Sequence, residues 1–161
     1  MKQPLMHTHQ FRTTAFSPHG DVALWYENHI AYFEAIGPFN VERVESLAVL
    51  QAEFIRQINP QGPWASIAVF KVSAVMSPDC LTRYEDLTSD HQRIGFAPVA
   101  TAFVMAPEVD GHSLMAPLFA RVFERIGRPF MVVSNVDDAR SWVLGRVDPA
   151  LASPASIDTN I

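Results

Sequence analysis

Three short and almost unbroken apolar runs, Trp64–Val72, Val99–Met105 and Phe130–Val133, alternate along this chain with stretches of helical period. A strand apolar at nearly every position must be covered on both faces, which is the condition of a parallel sheet sandwiched by helices. Strands that alternate with helices imply that layered α/β arrangement, joined by right-handed crossovers.

The helical stretches carry their own punctuation. Asn40 is a good N-cap. Val44, Leu47, Leu50, Phe54 and Ile58 follow at spacings of three or four, and Asn59–Pro63 ends the stripe. Ser77-Pro78-Asp79 opens a second helix: a capping hydroxyl, a proline in the first turn and a carboxylate at the positive end of the dipole. Leu81, Tyr84, Leu87 and His91 form its inner face, and Gly95 and Pro98 close it. In the third helix Leu114, Leu118, Val122 and Ile126 run at helical spacing, with Met115, Phe119 and Phe123 beside them. Pro117 predicts that regular helix begins near it, and Gly127-Arg128-Pro129 is a stop. Asn135 caps a last helix with Asp137 and Asp138 in its first turn; Ala139, Trp142 and Val143 face inward and Gly145 ends it.

Ahead of these units, Val22–Tyr26 and His29–Ile36 are β-prone and flank Glu27-Asn28, which predicts an antiparallel hairpin. The expected fold is therefore α/β: a mostly parallel sheet of about five strands, an N-terminal antiparallel hairpin and successive β-α units, in the order β-β-α-β-α-β-α-β-α. At 161 residues the chain is one domain's length. The expected division is an arm over 1–17 with a short extended piece around Phe11, a domain over 18–147 and a Pro/Ser/Ala-rich tail over 148–161.

Charge narrows the functions. Lys and Arg number 12 against 17 Asp and Glu, and no basic run occurs, so no basic face for nucleic acid is expected. Charged residues are only 18% of the chain, against a usual share of about 25%. The single cysteine, Cys80, allows no internal disulfide and suits a reducing, cytoplasmic compartment. No run approaches the length of about 18 apolar residues that a transmembrane helix needs, and residues 1–9 lack the apolar stretch of a signal peptide.

The hairpin, then Gly37-Pro38-Phe39-Asn40 opening a helix, then Pro63-Trp64 opening a strand, resembles the STAS-like domains, whose fold is that of anti-sigma-factor antagonists. The closing Gly127-Arg128-Pro129-Phe130-Met131-Val132, leading to Ala139 and Trp142, is also similar; the resemblance covers roughly residues 20–146. It implies a non-catalytic regulatory or protein-interaction module, self-associating or bound to a protein partner. In the antagonists a serine at the start of the helix after the third strand is phosphorylated. Ser77 stands at the corresponding place, within Lys71–Asp79, without the Asp and Gly of that family's pattern and with a proline after it.

Ligands of open α/β sheets bind beyond the carboxyl ends of the strands. That edge would gather Asn40, Lys71, Ser73, Ser77, Glu108, His112 and Asn135, together with Asp110 and Ser134. A small apolar or anionic ligand, or a lipid, held there is the alternative function. A hydrolase or transferase on His112, Asp110 and Glu108 is a third. Neither catalytic residues nor a cofactor are otherwise indicated: there is no phosphate loop, nucleophile elbow or Cys-x-x-Cys. His7-Thr8-His9 places two imidazoles on one side of an extended arm, but no third ligand lies at a diagnostic spacing, so no metal is expected. Phe39, Phe96, Met105 and Met115 fall in or near loops, where they suit a pocket or an interface.

Overall fold

The computed structural model describes residues 5–10 and 17–148. The strands are β1 (Met6–His7), β2 (Asp21–Glu27), β3 (Ile30–Ile36), β4 (Ala65–Lys71), β5 (Thr101–Val104) and β6 (Phe130–Val133). The helices are α1 (Val41–Ile58), α2 (Pro78–Arg93), α3 (His112–Ile126) and α4 (Val136–Val147). The protein is α/β, with one six-stranded sheet in the order β1-β2-β3-β4-β5-β6. The β1–β2 and β2–β3 pairs are antiparallel, and β3 to β6 are parallel. No helix among the described residues is long and apolar enough to cross a membrane.

Each new parallel strand is added on the same side of the last, so right-handed crossovers place α1, α2 and α3 on one face. The main core lies there: Phe33 and Ala35 of β3, Ala68 and Phe70 of β4 and Phe103 of β5 meet Val44, Leu47, Leu50 and Phe54 of α1, Leu87 of α2 and Met115, Phe119 and Phe123 of α3. The alternate residues Ile30, Tyr32, Ala65, Ile67, Ala102 and Val104 point to the other face, where Ala139 and Val143 of α4 cover them. The period of two sorts the strands between the faces.

Local signals set the element ends. The side chains of Asn40, Ser77 and Asn135 accept hydrogen bonds from the N–H groups of Arg43, Cys80 and Asp138. Asn59 closes α1 in the left-handed conformation. The hairpin turn is Asn28-His29, both at positive φ, one residue later than Glu27-Asn28, because two consecutive positive-φ residues match the twist of a two-residue hairpin.

Four expectations are corrected. Part of the arm joins the sheet: Met6 and His7 pair with Leu24 and Ala23, giving a sixth strand, while Phe11 lies outside the described residues. The β6 strand packs on both cores, through Phe130 and Val132 on one face and Val133 on the other, but as an edge strand it is only partly covered and leaves Met131 exposed. The α3 helix starts at His112, well ahead of Pro117; the bond that Pro117 cannot donate would reach the carbonyl of Ser113, an exposed residue whose carbonyl can turn to water. The α4 helix runs through Gly145 to Val147, because glycine costs a helix only about 1 kcal/mol and Val147 packs on the second core. Of the expected tail, residues 149–161 lie outside the described residues.

Phe103 is the hub of the main core. Its ring centroid lies 4.9 Å from Phe70, 5.0 Å from Phe119, 5.6 Å from Phe123 and 5.0 Å from Phe130. Edge-to-face contacts of this kind add to the burial of the rings themselves. Phe103→Ala is expected to lower unfolding stability by about 3–5 kcal/mol, read from urea denaturation. A loss under about 1 kcal/mol, typical of a surface position, would contradict the hub.

Candidate functional site

The sheet under α1 and α2 carries small residues, Ala35, Ala68 and Ser66, where the sheet under α3 carries phenylalanine. The helices do not close this gap, and a cavity of about 80 Å³ remains. The period of two points Phe33, Ala35, Ser66, Ala68, Phe70, Thr101 and Phe103 into it from below, while Val44, Leu47, Gln51 and Ile55 of α1 and Tyr84, Thr88 and His91 of α2 close it from above. A cavity needs roughly 10–15 Å³ on this measure to hold one water, so a volume of about 80 Å³ has room for about six. Ile55, Trp64, His91 and Phe96 line both the cavity and an adjoining surface cleft of about 600 Å³.

The polar groups cluster at the amino-terminal ends of the strands. Ser66 and Thr101 share a hydrogen bond of 2.8 Å between their hydroxyls. Arg128, in the turn before β6 and only 8% exposed, donates from Nη1 to the Thr101 hydroxyl at 3.3 Å and from Nε to Gln92 Oε1 at 3.1 Å. Its guanidinium carbon stands 5.5 Å from the centre of the Phe123 ring. Nη2 of Arg128 is buried and has no hydrogen-bond partner among the described residues.

The local electrostatics are those of an uncompensated cation. Burial disfavours the charge on Arg128 and moves its pKa down. Burial pushes the Tyr84 hydroxyl up to about 12, so it stays protonated. Burial, followed by the positive charge of Arg128, lowers His91 and keeps its imidazole neutral. No carboxylate is among the residues that line the cavity. At the far end Arg43 also lines it, buried, with Nη1 4.0 Å from Asp21 Oδ1.

None of the seven residues gathered at the carboxyl edge from sequence lines this cavity. Asn40 Oδ1 accepts from the N–H groups of Arg43 and His19. Lys71 Nζ pairs with Glu34 at 2.9 Å across β3 and β4. The Ser73 hydroxyl sits 3.4 Å from Asp110 Oδ2 and accepts from the N–H of Val75. Ser77 and Asn135 are helix caps. Glu108 is exposed, and His112 spends its nitrogens on the Val109 carbonyl and the Ser113 hydroxyl. Ser73 and Asp110 are brought together; Asn40, Ser77, Asn135 and His112 bond their own segments or neighbouring turns, Lys71 pairs with Glu34, and Glu108 is exposed. A ligand crevice at the carboxyl edge arises where strand order reverses, and this sheet adds its strands in one direction throughout.

Sequence reasoning missed Arg128, Thr101, Ser66 and Thr88. The available signals were hydroxyls at inward positions of otherwise apolar strands, the Tyr84/Thr88/His91 spacing on one helix face, and a guanidinium wedged between a helix stop and an apolar strand. Phe96 was anticipated as a pocket residue. Cys80 is buried and free, its thiol pushed up to about 11 by burial and then by Glu42, which fits an unreactive core residue.

No protein-family model, curated protein or solved structure matches the chain.

The lowered pKa of His91 makes stability depend on pH. Unfolded, His91 takes up a proton near its ordinary 6.5; folded, it resists. Its neutral form therefore contributes fully above about pH 6.5, and that contribution is lost as pH falls through the unfolded value toward the folded one. Urea midpoints of wild type and His91→Gln should diverge between about pH 7 and pH 5, with the wild type losing more. Parallel pH profiles would contradict a desolvated His91.

Proposed function

We propose that this protein is a non-catalytic binding module that holds a small apolar molecule with an anionic head, a carboxylate or an anion of similar size, in the cavity beneath α1 and α2. The observation that carries this reading is Arg128, a buried guanidinium that lines a largely apolar cavity and whose Nη2 has no hydrogen-bond partner among the described residues. A buried guanidinium with an unmet N–H is costly. A carboxylate accepting from Nη2 neutralises the charge and meets the donor together, and the aromatic walls take the apolar body. The neutral His91 and Tyr84 add hydrogen-bonding groups without competing charge. The volume suits a molecule of hexanoate or benzoate size.

The surface cleft beside the cavity carries a second reading. Ile94 and Phe96, both more than half exposed, line that cleft, and Val99 is exposed nearby. An apolar rim at the mouth of a ligand cavity suits a contact for a protein partner or a second copy, and so a regulatory module that reports occupancy. The element order supports the resemblance to STAS-like domains, and the free buried Cys80 supports a cytoplasmic setting. The hydrolase reading is not carried further, because Glu108 and Asp110 are exposed and His112 lines none of the cavities described.

Hexanoate and benzoate should raise the melting temperature of purified protein more than hexanol and toluene do. Arg128→Gln should erase that preference, weakening carboxylate binding about tenfold or more, with Arg128→Lys retaining part of it. No shift with any of the four compounds, or carboxylate shifts in Arg128→Gln as large as in the wild type, would overturn the proposal. For the rim, sedimentation should show concentration-dependent association that Phe96→Ser weakens; a strict monomer in both proteins counts against it.

A further inference from the structure

We propose that His7, His9 and Asp21 form a binding site for a divalent transition metal of the zinc or nickel class. The two imidazoles come from β1 and the turn of 3₁₀ helix that follows it, and Asp21 opens β2. The antiparallel pairing of His7 with Ala23 brings these segments together, supplying the third ligand that sequence spacing did not reveal. The three ligand groups offer atoms that all lie within 4.8 Å of one another, and the imidazole centroids are 4.9 Å apart. Two imidazoles and one carboxylate, with remaining positions open to water, are a donor set for borderline-soft divalent ions rather than for calcium or magnesium.

Two further observations point to a ligand. Nδ1 of His7 is a buried atom with no well-aligned hydrogen bond; it faces Asp21 Oδ2 at 3.4 Å. A metal between them would take the lone pair of that nitrogen and an oxygen of the carboxylate. Asp21 is also held from behind: the fully buried Thr8 hydroxyl donates to its Oδ1 at 2.7 Å and accepts from the Val22 N–H at 2.9 Å. An outer partner of this kind fixes a ligating carboxylate in place. The other charged group that faces the cluster is Arg43, 4.0 Å from Asp21 Oδ1 and therefore beyond hydrogen-bond reach. Its positive charge offsets the carboxylate, so binding must depend on both imidazoles.

The test uses the full chain after chelator treatment. Calorimetric titration should show one zinc or nickel ion bound per chain, with calcium and magnesium binding far more weakly. The cobalt-loaded protein should show visible bands of a site containing nitrogen ligands. His9 is 63% exposed, so His9→Ala should leave the urea midpoint unchanged while weakening metal binding about tenfold or more. Asp21→Asn should weaken it as well. Absence of zinc and nickel binding, undiminished binding in His9→Ala, or calcium bound as tightly as zinc would overturn the site.

Discussion

A sheet whose parallel strands are all added in one direction has no choice about where its crossover helices go. Right-handed connection sends each of them to the same face, and the other face of the apolar strands β4 and β5 is left for whatever chain remains. Here α4 is that remainder, and Ala139 and Val143 complete the second core. The same constraint removes the reversal of strand order that opens a crevice at the carboxyl ends of doubly wound sheets. Asn40, Ser77 and Asn135 therefore act as helix caps, and Lys71 pairs with Glu34.

With three helices on one face, how the sheet's side chains fill the space beneath each one decides where the structure is solid and where it is hollow. Under α3, Phe103 and Phe130 meet Phe119 and Phe123, and the Phe123 and Phe130 rings stack with centroids 4.3 Å apart. Under α1 and α2, Ala35, Ala68 and Ser66 leave the space that these rings occupy elsewhere. Protein interiors are otherwise packed to the density of organic crystals. A void ringed by aromatics and hydroxyls is therefore a property of these particular residues and not of the fold.

The parts legible in the sequence are those set by neighbours in the chain. Caps at Asn40, Ser77 and Asn135 satisfy N–H groups three residues on, so a local pattern is enough to place them. The alternation of apolar runs and helical stripes likewise identifies the α/β layers. What depends on distant pairing was hidden. Asp21 reaches His7 only through the β1–β2 ladder, and Arg128 reaches Thr101 only because β6 lies beside β5. Pro117 misled because its cost depends on whether the carbonyl it leaves unpaired can reach water, which a sequence does not show. The acidic balance, 17 Asp and Glu against 12 Lys and Arg, was legible, but not that no carboxylate would line the cavity where Arg128 is buried.

Those guanidiniums divide the molecule's functional prospects. Arg43 and Arg128 are both buried and both line the cavity, and burial disfavours the charge on each. Arg43 has two buried nitrogens, Nε and Nη1, without a hydrogen-bond partner among the described residues, but it has a carboxylate of its own chain nearby in Asp21, which partly restores its charge. Arg128 has hydroxyl and amide oxygens for two of its nitrogens and nothing for the third. A guanidinium kept only to brace the turn before β6 would be expected to satisfy every buried donor, since each unmet one is destabilising. Arg128 instead keeps that donor unmet while lining the cavity, whose shared wall with the surface cleft is Ile55, Trp64, His91 and Phe96. On the proposed reading, that unmet donor is what an anionic ligand would meet.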